Sequence, residues 1–297
     1  QVQSPETAGA APVPAPTGQR GLGLRLRQFR TLSARSFALY RRNPSRAIPL
    51  FVQPLIFSVL LLALFRTGVF DTDNFNLSAP TQLLFIFTFT VFLFGLLWGI
   101  QEIVSEFSIF RRERLVNLGV IPYVLSKTAV LVPVMMFGIT LMTGVLILTD
   151  RLPEAGFVEV YLPLWFTLFL MGLVGLSLAL FSSAVAPSSQ AATDMLSIWI
   201  MPQVLFSGAI FPVPEMALPG RVIALFVPLR WAFEGVARVL DLPAFYAASD
   251  SPIAESLLLQ YESSFTRPIL LNWSILAAFV VVPITVAIIV LARRTKV

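Results

Sequence analysis

The sequence contains no cysteine and no histidine among its 297 residues. Disulfides, thiol nucleophiles, imidazole bases and the commonest zinc ligands are therefore excluded. Charged side chains are also scarce, because Asp, Glu, Lys and Arg make up 12% of the chain, whereas 57% of its residues are hydrophobic. Soluble domains carry about twice that charged fraction. The composition therefore predicts an integral membrane protein whose surface largely faces lipid.

The N-terminal residues lack the features of a targeting signal. Residues 1–19 are rich in Ala, Pro and polar side chains and have neither a charged n-region nor an apolar h-region. We interpret them as a flexible linker. Because the first residue is Gln1, we expect a processed or excised chain with a further domain upstream. A plain disordered terminus is the alternative.

Six apolar segments are each long enough to cross about 30 Å of hydrocarbon as a helix. They lie at 48–65, 81–103, 122–149, 162–185, 192–211 and 269–292. A seventh candidate, 221–240, carries four charged residues, each of which would cost several kcal/mol in mid-bilayer. We expect that segment to lie at the interface or to dip in and return. The sequence thus predicts an all-α fold with six transmembrane helices.

The positive charges indicate how these helices are oriented. With the N-terminus inside, the inner segments hold 15 of the 21 Lys and Arg residues and the outer segments hold 6. This asymmetry agrees with the positive-inside rule. It predicts a multi-pass protein of the cell membrane with both termini in the cytoplasm.

A basic amphipathic helix is predicted before the first span. Leu22, Leu26, Phe29, Phe37 and Tyr40 fall on one helical face, and arginines lie away from it. The Asn43-Pro44 pair should end this helix, because a residue before proline disfavours the α conformation. Such a helix is expected to lie along the inner leaflet.

The chain also lacks the means to power transport by itself. The predicted spans have almost no ionisable groups away from their ends, so a proton or sodium relay is excluded. There is no G-x-x-x-x-G-K-[ST] phosphate loop, so we do not expect this chain to bind or hydrolyse ATP. If the protein moves a substrate uphill, the energy must come from another domain.

Four motifs follow one another along this six-span plan. They are Gln28-Phe29…Arg35…Arg41-Arg42-Asn43-Pro44, then Glu106…Ile109-Phe110-Arg111-Arg112-Glu113-Arg114…Tyr123…Ser126-Lys127, then Phe206-Ser207-Gly208, and finally Pro228-Leu229-Arg230-Trp231-Ala232-Phe233-Glu234-Gly235. Their order and placement resemble the membrane domain of a bacterial White/ABCG-type ABC exporter, within the type-2 permease superfamily. The resemblance covers the chain from Leu24 to Lys296.

The resemblance implies a domain organisation and a set of partners. The linker at 1–19 would precede a cytoplasmic connecting helix at 20–44 and a permease domain at 45–297, with a coupling helix at 102–115 and an outer re-entrant region at 212–268. A nucleotide-binding ATPase domain, fused N-terminally or on a separate chain, would carry ATP and Mg. A second copy of the chain would complete a homodimer in the lipid membrane, and no cofactor in this chain or nucleic-acid partner is implied. Coupling to the ATPase would involve Glu106, Phe110, Arg112, Glu113 and Arg114.

The resemblance also suggests where a substrate would bind. Ungapped counting from Glu106 and Gly208 implies Phe94, Trp98, Ser197, Met201 and Val204 as substrate-binding residues. Beyond Gly208, the multidrug members carry two leucines that close the cavity, and here the gate positions hold Ala209 and Ile210. The implied cavity has no fixed charge, which favours a lipid or an amphipathic hydrophobic substrate.

Two other functions remain as alternatives. The Asp71-Thr-Asp73 sequence has the D-x-D form that binds metal in some glycosyltransferases, so an intramembrane lipid-modifying enzyme is the first. A membrane scaffold that binds lipid and a soluble partner without transport is the second. We expect no metal site in this chain.

Overall fold

The computed structural model describes residues 22–71, 76–115, 118–249, 251–261, 265 and 267–295. Within these ranges the chain forms α-helices joined by turns and short 3-10 or π segments, with no strand, which confirms the all-α prediction. The helices are α1 (Leu22–Arg42), α2 (Pro44–Leu64), α3 (Ala79–Gly99), α4 (Phe107–Leu115), α5 (Val120–Leu148), α6 (Leu162–Val185), α7 (Ser189–Phe206), α8 (Leu218–Leu225), α9 (Pro228–Val239), α10 (Leu242–Ala247), α11 (Pro252–Tyr261) and α12 (Ile269–Arg294).

Five helices in the described part of the chain are long and apolar enough to cross a membrane. They are α2, α3, α5, α6 and α12, and each lies within a few residues of a predicted span. The predicted span at 192–211 corresponds to α7, which has 18 residues and is not among the five. Its sequence includes Gln190, Asp194 and Gln203, which lower its hydropathy. The count of six spans therefore remains a prediction.

The long helices run between two distinct ends of the molecule. At one end, here called the basic end, Gln28 of α1 accepts a hydrogen bond from Gly119 N, and Arg294 of α12 donates to Ala184 O at 2.6 Å. The helix α7 starts at this same end, where Gln101 donates to Ser189 O at 3.1 Å.

The other end, here called the cap end, is covered by α8 to α11. There the hydroxyls of Thr81 and Tyr246 lie 2.5 Å apart, and Arg151 donates to Phe65 O at 2.9 Å. Gln203, near the end of α7, accepts a hydrogen bond from Leu229 N of α9 at 2.9 Å. The helix α7 thus runs from the basic end to the cap end.

The predicted break before the first span is confirmed, because α1 ends at Arg42 and α2 begins at Pro44. Proline is favoured at the first position of a helix, since its missing N–H has no partner there. The apolar face of α1 differs from the prediction. Phe29 and Tyr40 are half-buried against the bundle, whereas Leu26 and Phe37 are each 61% exposed.

The segment 221–240 does not form one continuous helix. Instead α8 ends at Leu225, and α9 begins at Pro228 after the extended residue Val227. Nearly all of α9 is buried against α3, α6 and α12. This pair of short helices occupies the region where the sequence predicted a non-crossing segment.

The core of the bundle is a close contact between α3 and α6. A Cβ atom at Gly95 would run into the carbonyl oxygen of Gly172, and one at Gly175 would run into the carbonyl oxygen of Phe92. Small residues let two membrane helices approach at the level of their backbones. The glycines therefore set the distance between these two helices.

Candidate functional site: the helix cluster at the basic end

The helix α4 is short and amphipathic, and one aromatic side chain anchors it. Phe110 is 1% exposed and stacks on Tyr123 of α5, with ring centroids 4.1 Å apart. Arg114 at the C-terminal end donates from Nη1 to Leu118 O at 2.7 Å. On the other face, Ile109, Arg111, Arg112 and Leu115 are exposed. An anchored helix with an open, mixed apolar and basic face is suited to contact a soluble protein.

An ion pair joins α4 to the amphipathic helix α1. Nη1 of Arg35 lies 2.5 Å from Oε1 of Glu113, and the two side chains are 41% and 31% exposed. An ion pair this open to solvent contributes only about 0–1 kcal/mol to stability. Its consequence is positional, because it brings the side chains of α1 and α4 into direct contact.

A buried charge cluster lies beneath this ion pair. Lys127 of α5 is 4% exposed, and its Nζ lies 2.7 Å from Oε2 of Glu106 and 3.4 Å from Oε2 of Glu102. Tyr40 of α1 donates its hydroxyl hydrogen to Oε1 of Glu102 at 2.5 Å. Burial, together with the nearby Glu102 carboxylate, raises the pKa of the Tyr40 phenol above its ordinary value. The hydroxyl therefore stays protonated and donates to Glu102.

This cluster connects three parts of the basic end. Tyr40 belongs to α1, Glu102 and Glu106 belong to the turn and 3-10 segment after α3, and Lys127 belongs to α5. The cluster therefore links α1, the segment between α3 and α4, and α5 through short polar contacts. We call Tyr40, Glu102, Glu106 and Lys127 the lysine cluster.

The five residues predicted for coupling have different surroundings. Glu106 points into the lysine cluster, Phe110 anchors α4, and Glu113 pairs with α1. Arg114 reaches Leu118 O and, from Nε, the Thr295 hydroxyl at 3.3 Å. Arg112 remains on the surface, where its Nε lies 3.4 Å from the backbone oxygen of Ser108.

The sequence analysis did not predict the contacts of Tyr40, Glu102 and Lys127. A signal was present, because Lys127 stands within the apolar segment 122–149 and Glu102 stands at the end of another. Ionisable groups in such positions are usually paired. The sequence did not identify their partners.

Two of the predicted substrate-binding residues lie inside the protomer. Phe94 has no exposed surface and stacks on Trp98, with ring centroids 5.2 Å apart. Trp98 donates its indole N–H to Gln53 of α2 at 2.5 Å, and Phe57 of α2 packs edge-on against Phe94. In this conformation both rings fill the space between α3 and α2.

The other three predicted substrate-binding residues lie elsewhere. On α7, Ser197 and Met201 are exposed and Val204 is half-buried. The structure does not bring them together with Phe94 and Trp98. The accessible side of α3 is instead the stripe of Phe89, Leu93 and Leu97. Phe89 and Leu93 pack against the same apolar core as Leu196 and Ile200 of α7.

The predicted gate residues follow a backbone turn at the cap end. Gly208 has φ +85°, a conformation that side chains rarely adopt. The carbonyl of Ala209 accepts a hydrogen bond from the Tyr261 hydroxyl at 3.1 Å, and Ile210 is 49% exposed. Tyr261 thus ties this turn to α11.

The candidate metal motif is only partly described. Asp71 closes a turn by donating its backbone N–H to Gly68 O at 3.1 Å, and its carboxylate occupies the space beside Gly68. Asp73 lies outside the described residues. Among the residues that are described, no group of three or more Asp and Glu side chains converges to hold a metal ion.

Together, long apolar helices between two polar ends define the class of this molecule as a multi-pass α-helical membrane protein. Comparison with known families gives the assignment. The profile of the ABC-2 type transporter family matches residues 27–240. The chain therefore belongs to the ABC-2 type transporter family, and it has a transport role as the membrane permease part of an ABC transporter.

A curated relative points the same way. Over 243 residues, or 77% of this chain, the sequence is 26% identical to the ABC transporter ATP-binding/permease protein Rv1747 of Mycobacterium tuberculosis (strain ATCC 25618 / H37Rv). The chain spans 27% of the length of that relative.

Proposed function

We propose that this chain is the permease half of an ATP-driven exporter and that α4 receives the force. The observation that carries the proposal is the arrangement at the basic end. There, α4 presents Ile109, Arg111, Arg112 and Leu115 outward while Phe110 and Glu113 tie it to α5 and α1. Closure of two ATPase domains would push on anchored helices and shift a two-state equilibrium of the bundle.

The motor would be a nucleotide-binding domain that carries ATP and Mg. The name of the mycobacterial relative joins ATP-binding and permease parts in one protein, which supports a fused or closely associated ATPase here. The basic end would then face the cytoplasm with both termini. The excess of positive charge at that end supports this orientation.

The transport unit would be a homodimer in which α7 is the sixth span. Ile198, Met201 and Leu205 lie along one face of α7 and are 63%, 59% and 43% exposed. A second copy would cover this face, so α7 would not need the hydropathy of a lipid-facing helix. In such a dimer the exposed Asp194 would not have to face lipid, and Gln203 already has a partner in α9 of its own protomer.

The substrate would pass between α3 and α7 of the two protomers. Phe89, Leu93 and Leu97 would form the α3 wall in this conformation, and Ser197, Met201 and Val204 would form the α7 wall. The uncharged lining favours a lipid or another amphipathic molecule. It would leave past Ala209 and Ile210, where a small and a branched side chain form the gate.

The test uses the Arg35–Glu113 pair in the full-length transporter in proteoliposomes. We expect Glu113→Ala to lower substrate-stimulated ATP hydrolysis and transport about tenfold, the usual scale of energetic coupling between sites. Folding should survive, because an ion pair this exposed contributes about 1 kcal/mol at most. Assembly is checked by size-exclusion chromatography of the detergent-solubilised protein.

Two further variants test whether the loss of coupling comes from breaking the Arg35–Glu113 contact. The charge swap, Arg35→Glu with Glu113→Arg, should restore coupling if the contact between α1 and α4 transmits the force. Arg25→Ala, a change at an exposed arginine of α1, is the control and should leave coupling unchanged. Normal coupled transport in Glu113→Ala would refute the role of α4. If transport does not change with nucleotide, the alternative function, a membrane scaffold that does not transport, would be favoured.

A further inference from the structure

The cap end contains a cavity whose walls carry three arginines. Its volume is about 330 Å³, and Arg221 of α8, Arg230 of α9 and Arg267 before α12 line it together with Val213, Val222 and Leu225. This volume is at the lower end of small-molecule sites, so it admits a headgroup rather than a whole lipid. None of these residues belongs to the lysine cluster or to the Arg35–Glu113 pair at the basic end.

The charges around this cavity do not balance. Oε1 of Glu234 lies 3.0 Å from Nε of Arg230, and Oε2 lies 2.9 Å from Nη1 of Arg267. Among the described residues, these are the only ion pairs that the three arginines make. Among the described side chains that line the cavity or form ion pairs with its arginines, three guanidinium groups therefore face one carboxylate. Burial raises the pKa of the Glu234 carboxyl, and the two guanidinium groups oppose that rise.

A purely structural role, in which ion pairs join α9 to the residues before α12, would explain the presence of Arg230, Glu234 and Arg267. It does not explain Arg221, which lies in α8 and forms hydrogen bonds only to backbone oxygens in the described part of the chain. Those acceptors, Met216 O and Pro214 O, hold the guanidinium in place without neutralising its charge. Arg221 is exposed and has no carboxylate partner among the described residues, so its charge is available to a ligand in the cavity.

The arginines are also held in fixed positions. The guanidinium carbon of Arg230 lies 4.8 Å from the centre of the Trp231 ring, and that of Arg267 lies 5.3 Å from it. The ring itself is fixed by its N–H, which donates to Leu225 O at 3.1 Å. Arg230 is 4% exposed and lines the cavity, and its hydrogen bond to Glu234 uses Nε. Among the described residues, no acceptor is seen for its two terminal nitrogens.

From this geometry we propose that the cavity binds an oxyanion of the phosphate or sulfate type. Guanidinium groups match the planar, two-oxygen edge of such anions and bind them more strongly than neutral groups. The apolar walls, together with the exposed Phe226 and Ile223 beside them, favour an anion that is the headgroup of an amphipathic molecule. The site does not depend on the proposed direction of transport, because binding is expected without nucleotide.

The test measures binding to the full-length protein in a neutral detergent through the fluorescence of Trp231. Dihexanoyl phosphatidic acid, dihexanoyl phosphatidylcholine and inorganic phosphate are titrated separately. We expect the anionic lipid to bind about tenfold more tightly than the zwitterionic one, and added salt to weaken it. Trp231→Phe should remove the fluorescence change, which places the signal at this cavity.

Two matched variants decide whether the cavity is the site. Arg221→Gln keeps a donor for the backbone oxygens but removes the charge, and it should weaken binding of the anionic lipid about tenfold. Arg238→Gln is the control. Like Arg221, Arg238 donates to a backbone oxygen, that of Phe265, but it lies in α9 and does not line this cavity. It should leave the affinity within about twofold.

The outcomes distinguish the source of the anion. Equal affinity for inorganic phosphate and the anionic lipid would assign the site to a soluble oxyanion, and tighter binding of the lipid would assign it to a headgroup. Unchanged affinity in Arg221→Gln, or an equal loss in Arg238→Gln, would overturn the proposal. Failure of this test would leave the ATPase-coupling experiment unaffected, since the two use different residues at opposite ends.

Discussion

Replacing Lys127 with methionine is expected to destabilise the protein by about 3–5 kcal/mol. The substitution keeps the length of the side chain but removes the cation that lies 2.7 Å from Glu106 and 3.4 Å from Glu102. Two carboxylates would then face each other, with 11% and 15% of their side chains exposed. Removing one partner of a buried ion pair is costly because the remaining charge has neither water nor a counter-ion.

The measurement is the temperature at which half of the detergent-solubilised protein leaves the monodisperse peak on size-exclusion chromatography. A second variant tests whether the repulsion between the two carboxylates causes the loss of stability. Lys127→Met combined with Glu106→Gln restores the net charge of the lysine cluster to minus one, because one carboxylate then remains without a cation. We expect this double variant to recover part of the loss. If Lys127→Met alone is as stable as the parent, the cluster does not hold α1, α3 and α5 together.

The positions of the helices could be predicted because they depend on local properties of the chain. Runs of apolar residues mark the spans, and the pairing of Asn43 with Pro44 marks the start of α2, as the structure confirms. The one predicted span that hydropathy does not support is α7. Its sequence includes polar residues such as Gln203, whose buried side chain accepts from α9. Whether such a residue faces lipid or protein depends on tertiary contacts, which hydropathy does not contain.

The candidate site was less predictable, because motif counting gives distance along a helix but not the direction of a side chain. Phe94 was placed by counting from Glu106, yet the turns at 100–106 lie between them and Phe94 points toward α2. A shift of one position along α3 moves a side chain by about 100° around the helix. Leu93 is therefore half-buried and partly accessible, whereas the side chain of its neighbour Phe94 is fully buried.

The partners of the charged residues could not be predicted from the sequence either. The sequence suggested that Glu113 belongs to a coupling segment, but its partner Arg35 is 78 residues away. In the sequence, the charges at 221–240 argued against membrane crossing, and Arg230 and Glu234 formed part of a family motif, but neither observation placed them around a cavity. Their convergence around one cavity depends on the break between α8 and α9, which turns Arg221 and Arg230 toward the same space.

A single methyl group added at the centre of the bundle should lower the stability of the protein by an amount similar to that expected for Lys127→Met. Gly95→Ala would place its Cβ 2.6 Å from Leu176 N and still closer to the carbonyl oxygen of Gly172. Both neighbours are backbone atoms of α6, which cannot rotate away as a side chain could. The two helices must then separate, and we expect a loss of about 3 kcal/mol, the upper part of the range for overpacking.

The matched control is Gly144→Ala in α5, where no heavy atom lies within 4 Å of the added methyl group. Alanine in a helix is favoured over glycine by about 0.5–1 kcal/mol, so this variant should be as stable as the parent or slightly more so. Gly175→Ala should reproduce the loss from the α6 side, since its methyl group would meet the backbone of Phe92. The two losses should not add, because separating the helices once relieves both contacts. Equal thermal stability of Gly95→Ala and Gly144→Ala would mean that α3 and α6 are not held at backbone contact.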